Sequence, residues 1–146
     1  MVAGFFYAEN RAQNVVLWKF NIIAFVNEFI LYQTGLHIIA SIEEVDAALL
    51  KTYEVFKLQL ESIIAQHRLQ KLGEVYHNFA PAGFTAVVCL SESHISVHTW
   101  PEHGLVNYDI YLSNHERVND ATVMEIDLAF QSFFKGKTRQ SQQIKR

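Results

Sequence analysis

The sequence has a single cysteine, Cys89, among its 146 residues, so no disulfide bond can form within the chain. A chain without disulfides fits a reducing compartment, and we expect a cytoplasmic location. The excess of charge of one sign is also small. The formal net charge is −3, which is too small to indicate nucleic acid or an anionic membrane surface as partner. Half of the residues are hydrophobic and 18% are charged, a composition typical of a folded soluble domain.

The sequence also lacks an uninterrupted apolar run of the length that a membrane helix needs. Residues 15–32 are rich in apolar side chains, but Lys19 and Glu28 interrupt them, and a charge at bilayer depth is costly. A signal peptide would also need a small-residue cleavage site, and none is clear in the sequence. We therefore expect no membrane association. Residues 1–34 are an extension of uncertain role: either a helical segment that packs on the domain or on a partner, or translated sequence upstream of the true start.

Periodicity from Gly35 onward predicts a series of strands and helices. β-branched and alternating runs predict strands at 36–42, 72–79, 84–90, 94–100 and 105–112. Helical spacing of apolar residues predicts one long helix over 43–69 and a second helix that begins at Asn119 or Asp120. Strands that follow one another through tight turns pair antiparallel. We therefore predict an α+β two-layer sandwich, an antiparallel sheet with helices on one face.

Residues 91–102 are the stretch of the sequence that is most informative about chemistry. They read Ser-Glu-Ser-His-Ile-Ser-Val-His-Thr-Trp-Pro-Glu. On a strand His94 and His98 lie about 13 Å apart, too far to share one metal ion. No Gly-x-Ser-x-Gly elbow surrounds Ser93, which argues against a serine hydrolase. Composition alone thus indicates a solvated or hydrogen-bonded strand face, and we expect no metal.

This segment resembles a known family. Glu92-Ser93-His94, followed by His98-Thr99-Trp100-Pro101-Glu102, is similar to the self-processing segment of the prokaryotic S-adenosylmethionine decarboxylase proenzymes, which depend on a pyruvoyl group. The likeness extends to residues 35–40, 77–83 and 109–111. It covers about residues 35–136, which we take as the decarboxylase-like domain. Residues 137–146 are basic and polar, and form either a frayed tail or a weak edge strand.

The resemblance implies that the chain cuts itself. Ser93 would attack the carbonyl of Glu92 and convert the peptide bond into an ester. His98, the family's processing base, would remove the α-proton of residue 93, and elimination would leave a pyruvoyl cofactor derived from Ser93. That group would form a Schiff base with a substrate amine and accept the charge left by decarboxylation. Thr85 stands where members often have a serine that supports processing. His94 lies either near the substrate or in a structural hydrogen bond.

One family residue is missing. The family's proton donor is a cysteine about twenty residues after the processed serine, and Ser113 stands at that position here. A serine hydroxyl is a far weaker acid than a thiol, so Ser113 should donate protons poorly. Cys89 lies in an apolar run, and we expect it to be a small buried hydrophobe rather than a substitute donor.

Three functions follow from the resemblance. The first is an S-adenosylmethionine decarboxylase of polyamine and spermidine biosynthesis with an altered proton donor, either His94 or water through Ser113. The second is a related decarboxylase of a basic amino acid such as ornithine or arginine. The third is an unprocessed, non-catalytic relative that acts as a partner or regulator. For the two enzymes the resemblance implies a small-molecule amine substrate and a homodimer of processed protomers.

Overall fold

The computed structural model describes residues 33–146. Across these residues six strands form one antiparallel sheet: β1 Leu36–Glu43, β2 Lys71–Asn78, β3 Phe84–Leu90, β4 Ser93–Trp100, β5 Leu105–Leu112 and β6 Lys137–Lys145. The same part of the chain contains three α-helices: α1 Ala47–Leu50, α2 Glu54–Gln66 and α3 Asp120–Phe134. A short 3-10 helix, Pro101–His103, connects β4 to β5. The strand order is β2-β3-β4-β5-β1-β6. The predicted α+β sandwich is confirmed.

The sheet buries one of its two faces. In β3, Phe84, Ala86, Val88 and Leu90 are buried while Val87 and Cys89 are exposed, the period expected of a strand with one face in the core. The strand pairing places further side chains on the surface that carries Val87 and Cys89, among them His37, His94 and Asp109. We call this surface the open face.

An aromatic cluster attaches α2 and α3 to the buried face. Phe56 of α2 is fully buried, and its ring packs against those of Phe84 and Phe134 with centroids 5.6 and 5.7 Å away. The edge of the Phe130 ring meets it at 5.4 Å. Truncating such a buried aromatic to alanine typically costs about 3–5 kcal/mol. This cluster therefore stabilises the sheet that carries the candidate site.

The single helix predicted over 43–69 is wrong, because the chain leaves the helical path between α1 and α2. There the backbone carbonyl of Lys51 accepts a hydrogen bond from the N–H of Gly83 at 2.9 Å. The N–H of Tyr53 donates to Oδ1 of Asn78, also at 2.9 Å. The end of β2 and the turn that follows it thus bind the backbone groups that a continuous helix would need. Apolar spacing predicted the helical segments on both sides of the break but not the tertiary contacts that cause it.

The C-terminal segment forms the edge strand β6. It pairs antiparallel with β1, with a register shift between Ser41 and Ile42. Strand β1 therefore lies between β5 and β6, although it comes first among the strands of residues 33–146. All nine residues of β6 are exposed, which explains why it has no apolar alternation in the sequence.

The predicted N-terminal extension, residues 1–34, lies almost entirely outside the described residues, and its role stays a prediction. Within residues 33–146 no helix combines the length and the apolar character that crossing a membrane requires.

Candidate active site

The Glu92–Ser93 bond lies in the tight turn between β3 and β4. Ser91 and Glu92 connect the strands, and Ser93 is the first residue of β4. Its φ angle is 145°, on the positive side that non-glycine residues seldom adopt. Such a conformation costs on the order of 1–3 kcal/mol, and strain of this kind is common at reactive sites. The backbone is therefore strained at the residue at which the family resemblance implies cleavage.

A backbone amide contacts the carbonyl of this bond. The N–H of Ser113, which directly follows β5, donates a hydrogen bond to the backbone oxygen of Glu92 at 2.8 Å. The pairing of Ser93 with Leu112 brings the two segments side by side. A donor at this oxygen polarises the carbonyl and stabilises the negative charge that nucleophilic attack would create there. Ser113, which the sequence marks for its side chain, therefore contributes a backbone group.

The side chain of Glu92 is held by an ion pair. Nε and Nη2 of Arg117 donate to Oε1 and Oε2 at 2.9 and 3.3 Å, and Nδ2 of Asn119 lies 3.4 Å from Oε1. The Glu92 side chain is only 12% exposed. Because a two-pronged guanidinium contact fixes orientation as well as charge, Arg117 holds the residue before the candidate cleavage bond in place.

His94 belongs to a hydrogen-bonded cluster on the open face. Its Nδ1 lies 3.2 Å from Oγ of Ser93, and its Nε2 lies 2.9 Å from Oδ1 of Asp109. Nε2 of His37 is 3.4 Å from the same carboxylate oxygen. The hydroxyl of Ser96 donates to the other oxygen, Oδ2. Strands β4, β5 and β1 contribute to the cluster because their register directs these side chains to one face.

Asp109 is the negative member of this cluster. Burial alone would raise the pKa of its carboxyl, but the hydrogen bonds from Ser96, His94 and His37 outweigh burial and hold the pKa below its ordinary value of 3.8. Burial also lowers the pKa of His37 below 6.5, despite its contact with Asp109. At neutral pH the cluster therefore contains an ionised carboxylate that accepts hydrogen bonds, with a neutral His37 beside it.

His98 and Thr85 form a separate pair. Oγ1 of Thr85 lies 2.7 Å from Nδ1 of His98, where β3 faces β4. His98 is five residues beyond Ser93 on β4, which corresponds to about 17 Å along an extended strand. His98 therefore cannot contact Ser93 of its own chain. The resemblance implies that His98 and Ser93 act together, but within a single chain they lie far apart.

The prediction that Cys89 is buried is wrong. Cys89 is exposed because β3 buries alternate side chains and Cys89 is in phase with the open face. Its partner across the β3–β4 pair is His94. The apolar run of β3 conceals this alternation, since both of its faces carry apolar residues. The thiol therefore shares a face with the His94 cluster.

His37, His94 and Asp109 also meet a distance condition for metal binding, since one ligating atom from each lies within 4.8 Å of the others. Their closeness is explained by hydrogen bonds to the shared carboxylate. The prediction that the protein binds no metal stays a prediction.

The reasoning from sequence missed several partners of the cleavage site. His37 and Asp109 enter the resemblance only as parts of matching strands, and Arg117 and Asn119 do not enter it. For the first two a signal exists: each is a polar residue between apolar residues of an alternating strand. Such polar positions share a face once the strands pair.

Comparison with known proteins identifies the family. The family described as S-adenosylmethionine decarboxylase matches residues 36–146, which is most of the chain. The chain belongs to the S-adenosylmethionine decarboxylase family. The predicted family and the predicted class of enzyme, a carboxy-lyase, are confirmed.

Individual relatives agree with this assignment. The S-adenosylmethionine decarboxylase proenzyme of Archaeoglobus fulgidus is 46% identical over 77 residues, which cover 53% of this chain and 69% of the relative. The proenzyme of Aquifex aeolicus is 47% identical, over 53% of this chain and 57% of the relative. The crystal structure of the Aquifex aeolicus adenosylmethionine decarboxylase is 30% identical, with a TM-score of 0.66, and the match covers 80% of this chain and 91% of that one.

Proposed function

We propose that the chain is a self-cleaving S-adenosylmethionine decarboxylase that forms a pyruvoyl group from Ser93. The geometry of the Glu92–Ser93 bond carries this proposal. Ser93 combines a hydroxyl with a strained φ of 145°, and the amide of Ser113 donates to the Glu92 carbonyl at 2.8 Å. These features fit the formation of a pyruvoyl group at position 93, and membership of the family supports the same conclusion.

The proposed decarboxylation of the substrate depends on the pyruvoyl group. A pyruvoyl group at the start of β4 supplies an electron sink for the loss of carbon dioxide from an amino acid. The matching relatives are named for S-adenosylmethionine, which supports this substrate over ornithine or arginine. His94 directly follows Ser93, and its Nδ1 lies 3.2 Å from the Ser93 oxygen. Its position supports His94, rather than water held by Ser113, as the donor of the replacing proton.

In this proposal a second copy of the chain completes the site. Because His98 is about 17 Å along β4 from Ser93 of its own chain, it can act only on the Ser93 of another chain. The open face also carries exposed apolar side chains, which favour association: Ile39, Val75, Val87 and Ile144. We therefore propose a homodimer whose open faces meet, so that each His98 serves the Ser93 of the other chain.

The intact mass of the purified protein tests self-cleavage. Cutting this 146-residue chain after Glu92 leaves fragments of 92 and 54 residues. We expect both fragments, the second lighter than its sequence by the mass of ammonia because a pyruvoyl group replaces its amino-terminal serine. The Ser93→Ala variant is the control and should stay whole.

An unmodified chain that remains uncut after long incubation would contradict both enzyme functions and favour the non-catalytic relative. If the chain is cut, carbon dioxide release from labelled S-adenosylmethionine, ornithine and arginine identifies the substrate. Release from ornithine or arginine alone would contradict the proposed substrate.

A further inference from the structure

Ser93, His94 and Asp109 form a continuous hydrogen-bonded chain that starts at the candidate cleavage bond. Oγ of Ser93 lies 3.2 Å from Nδ1 of His94, and the opposite ring nitrogen, Nε2, lies 2.9 Å from Oδ1 of Asp109. A hydroxyl, an imidazole and a carboxylate in this order activate the nucleophile of serine hydrolases. We call these three residues the relay.

The charge of Asp109 determines where the protons of the relay lie. An ionised carboxylate only accepts hydrogen bonds, so Nε2 of His94 must be the donor in their contact. In a neutral imidazole the other nitrogen, Nδ1, then has the free lone pair. This lone pair faces the hydroxyl of Ser93. His94 is therefore held in the tautomer that can accept a proton from Ser93.

Two further side chains hold Asp109 in this orientation. The hydroxyl of Ser96 donates to Oδ2, and Nε2 of His37 lies 3.4 Å from Oδ1. The side chain of His37 is 9% exposed and that of Asp109 is 27% exposed, so solvent competes weakly for these contacts. A carboxylate fixed on several sides stabilises the positive charge that His94 acquires when it takes a proton.

We propose that His94 is the base that activates the Ser93 hydroxyl for self-cleavage, and that Asp109 is its positioning residue. This inference rests on the proposed function and divides the work between two bases. His94 promotes the acyl shift, and His98 of the other chain removes the α-proton afterwards. The missing Gly-x-Ser-x-Gly elbow does not oppose this arrangement, because the bond attacked is the one that directly precedes the serine.

The step balances without an external reagent. Oγ of Ser93 bonds to the carbonyl carbon of Glu92 while Nδ1 of His94 takes the hydroxyl proton. The negative charge on the Glu92 oxygen is stabilised by the N–H of Ser113. The carbon–nitrogen bond then breaks, and His94 returns the proton to the nitrogen of Ser93. The products are an ester between Glu92 and Ser93 and a free amine on Ser93.

Hydroxylamine distinguishes the two steps, because it cuts the ester and leaves the peptide bond intact. The unmodified chain and its variants are made by cell-free synthesis, incubated with or without hydroxylamine, and sampled over time by intact mass. His94→Gln and Asp109→Asn test the relay, and His98→Ala should stop after the ester. His103→Gln, at an exposed position beyond the far end of β4, is the matched control.

We expect the unmodified chain and His103→Gln to cut themselves, and His98→Ala to release both fragments when hydroxylamine is added. His94→Gln should stay whole with or without hydroxylamine, its acyl shift slower by about 10²–10⁴-fold. Asp109→Asn should slow the shift by about 10²-fold or more, because the tautomer of His94 is no longer enforced.

The pH profile of cleavage separates a positioning role of Asp109 from a structural one. The titratable groups that face His94 are Asp109 and Tyr111 of β5, His37 of β1 and Cys89 of β3. Loss of the Asp109 carboxylate should move the acid limb of the rate profile to lower pH, since a protonated His94 loses its stabilising partner. A weakened fold would instead lower the rate at every pH.

Three results would overturn parts of this account. Cleavage of His94→Gln at the unmodified rate, or release of its fragments by hydroxylamine, would remove His94 as the base and leave the proposed function intact. An unshifted profile for Asp109→Asn would remove the role of Asp109. An uncut unmodified chain would remove both proposals. Circular dichroism checks that each variant folds. If His94→Gln does not fold, Asp109→Asn tests the relay in its place: release of its fragments by hydroxylamine at the rate of the unmodified chain would overturn the proposal.

Discussion

The proposal that His98 acts on the Ser93 of the other chain can be tested by combining two inactive variants. Ser93→Ala lacks the reactive hydroxyl, and His98→Ala should stop at the ester because it lacks the base for the α-proton. Each variant lacks one of the two required groups, so neither can complete the reaction alone. Because the two positions are about 17 Å apart along β4, we expect the groups to act together only across two chains. In a mixed dimer, the intact Ser93 of one chain meets the intact His98 of the other.

The expected yield follows from two-fold symmetry. Equal amounts of two chains that associate at random give mixed dimers in about half of all cases. Each mixed dimer has one complete site, so about half of the His98→Ala chains should acquire a pyruvoyl group, and no Ser93→Ala chain should be cut. The assay is the intact mass of the two chains, coexpressed with different tags. The matured fragment is lighter by the mass of ammonia than one that begins with serine.

The matched control replaces the Ser93→Ala partner with the double variant Ser93→Ala/His98→Ala, which has no His98 to offer and should yield no pyruvoyl. If His98→Ala stays at the ester in the presence of Ser93→Ala, while the unmodified chain matures, the action of His98 on the other chain is refuted. If His98→Ala matures alone, His98 is not the base.

Three further predictions concern protonation, stability and pH. Ser113→Cys should raise decarboxylation turnover roughly tenfold or more, because it adds to His94 the thiol that the resemblance gives as the family's proton donor; carbon dioxide release measures this, and an unchanged or slower enzyme contradicts it. Tyr108→Phe removes the 2.6 Å hydrogen bond to buried Asp127, and should lower the free energy of unfolding in urea by about 1.5–3 kcal/mol; a loss near zero contradicts this. Burial lowers the pKa of His37, so below pH 6.5 the unfolded chain takes up a proton that the folded chain does not. Stability should therefore fall as pH drops below 6.5, and His37→Gln should flatten that slope, whereas an unchanged slope in urea titrations would contradict the argument.

Local sequence patterns predicted most strands because alternation records which side chains are buried. Strand β5 has the bounds predicted for it, 105–112, since its apolar residues alternate cleanly with polar ones. The same method failed at the break between α1 and α2, where Asn78 and Gly83 from later in the chain bind backbone groups. It also failed at Cys89, because an apolar side chain on the open face looks like a core residue in the sequence.

The candidate site likewise combines features that the sequence indicated with contacts that only the fold creates. The resemblance of residues 91–102 to the family's processing segment marked the candidate cleavage bond, which joins two neighbouring residues, Glu92 and Ser93. Two of the groups proposed to act on this bond are distant in sequence. The Ser113 amide and the Asp109 carboxylate reach it through the register of β5 against β4, which no local pattern specifies.

By itself the sequence determined the class of fold, because the period of buried side chains is a local property of the chain, and its resemblance to the family marked Ser93 as the candidate reactive residue. Only the tertiary structure decided that His94 contacts Asp109 and that His98 lies about 17 Å along β4 from its own Ser93. Those relations depend on strand register and side-chain direction, which are set when distant segments pair.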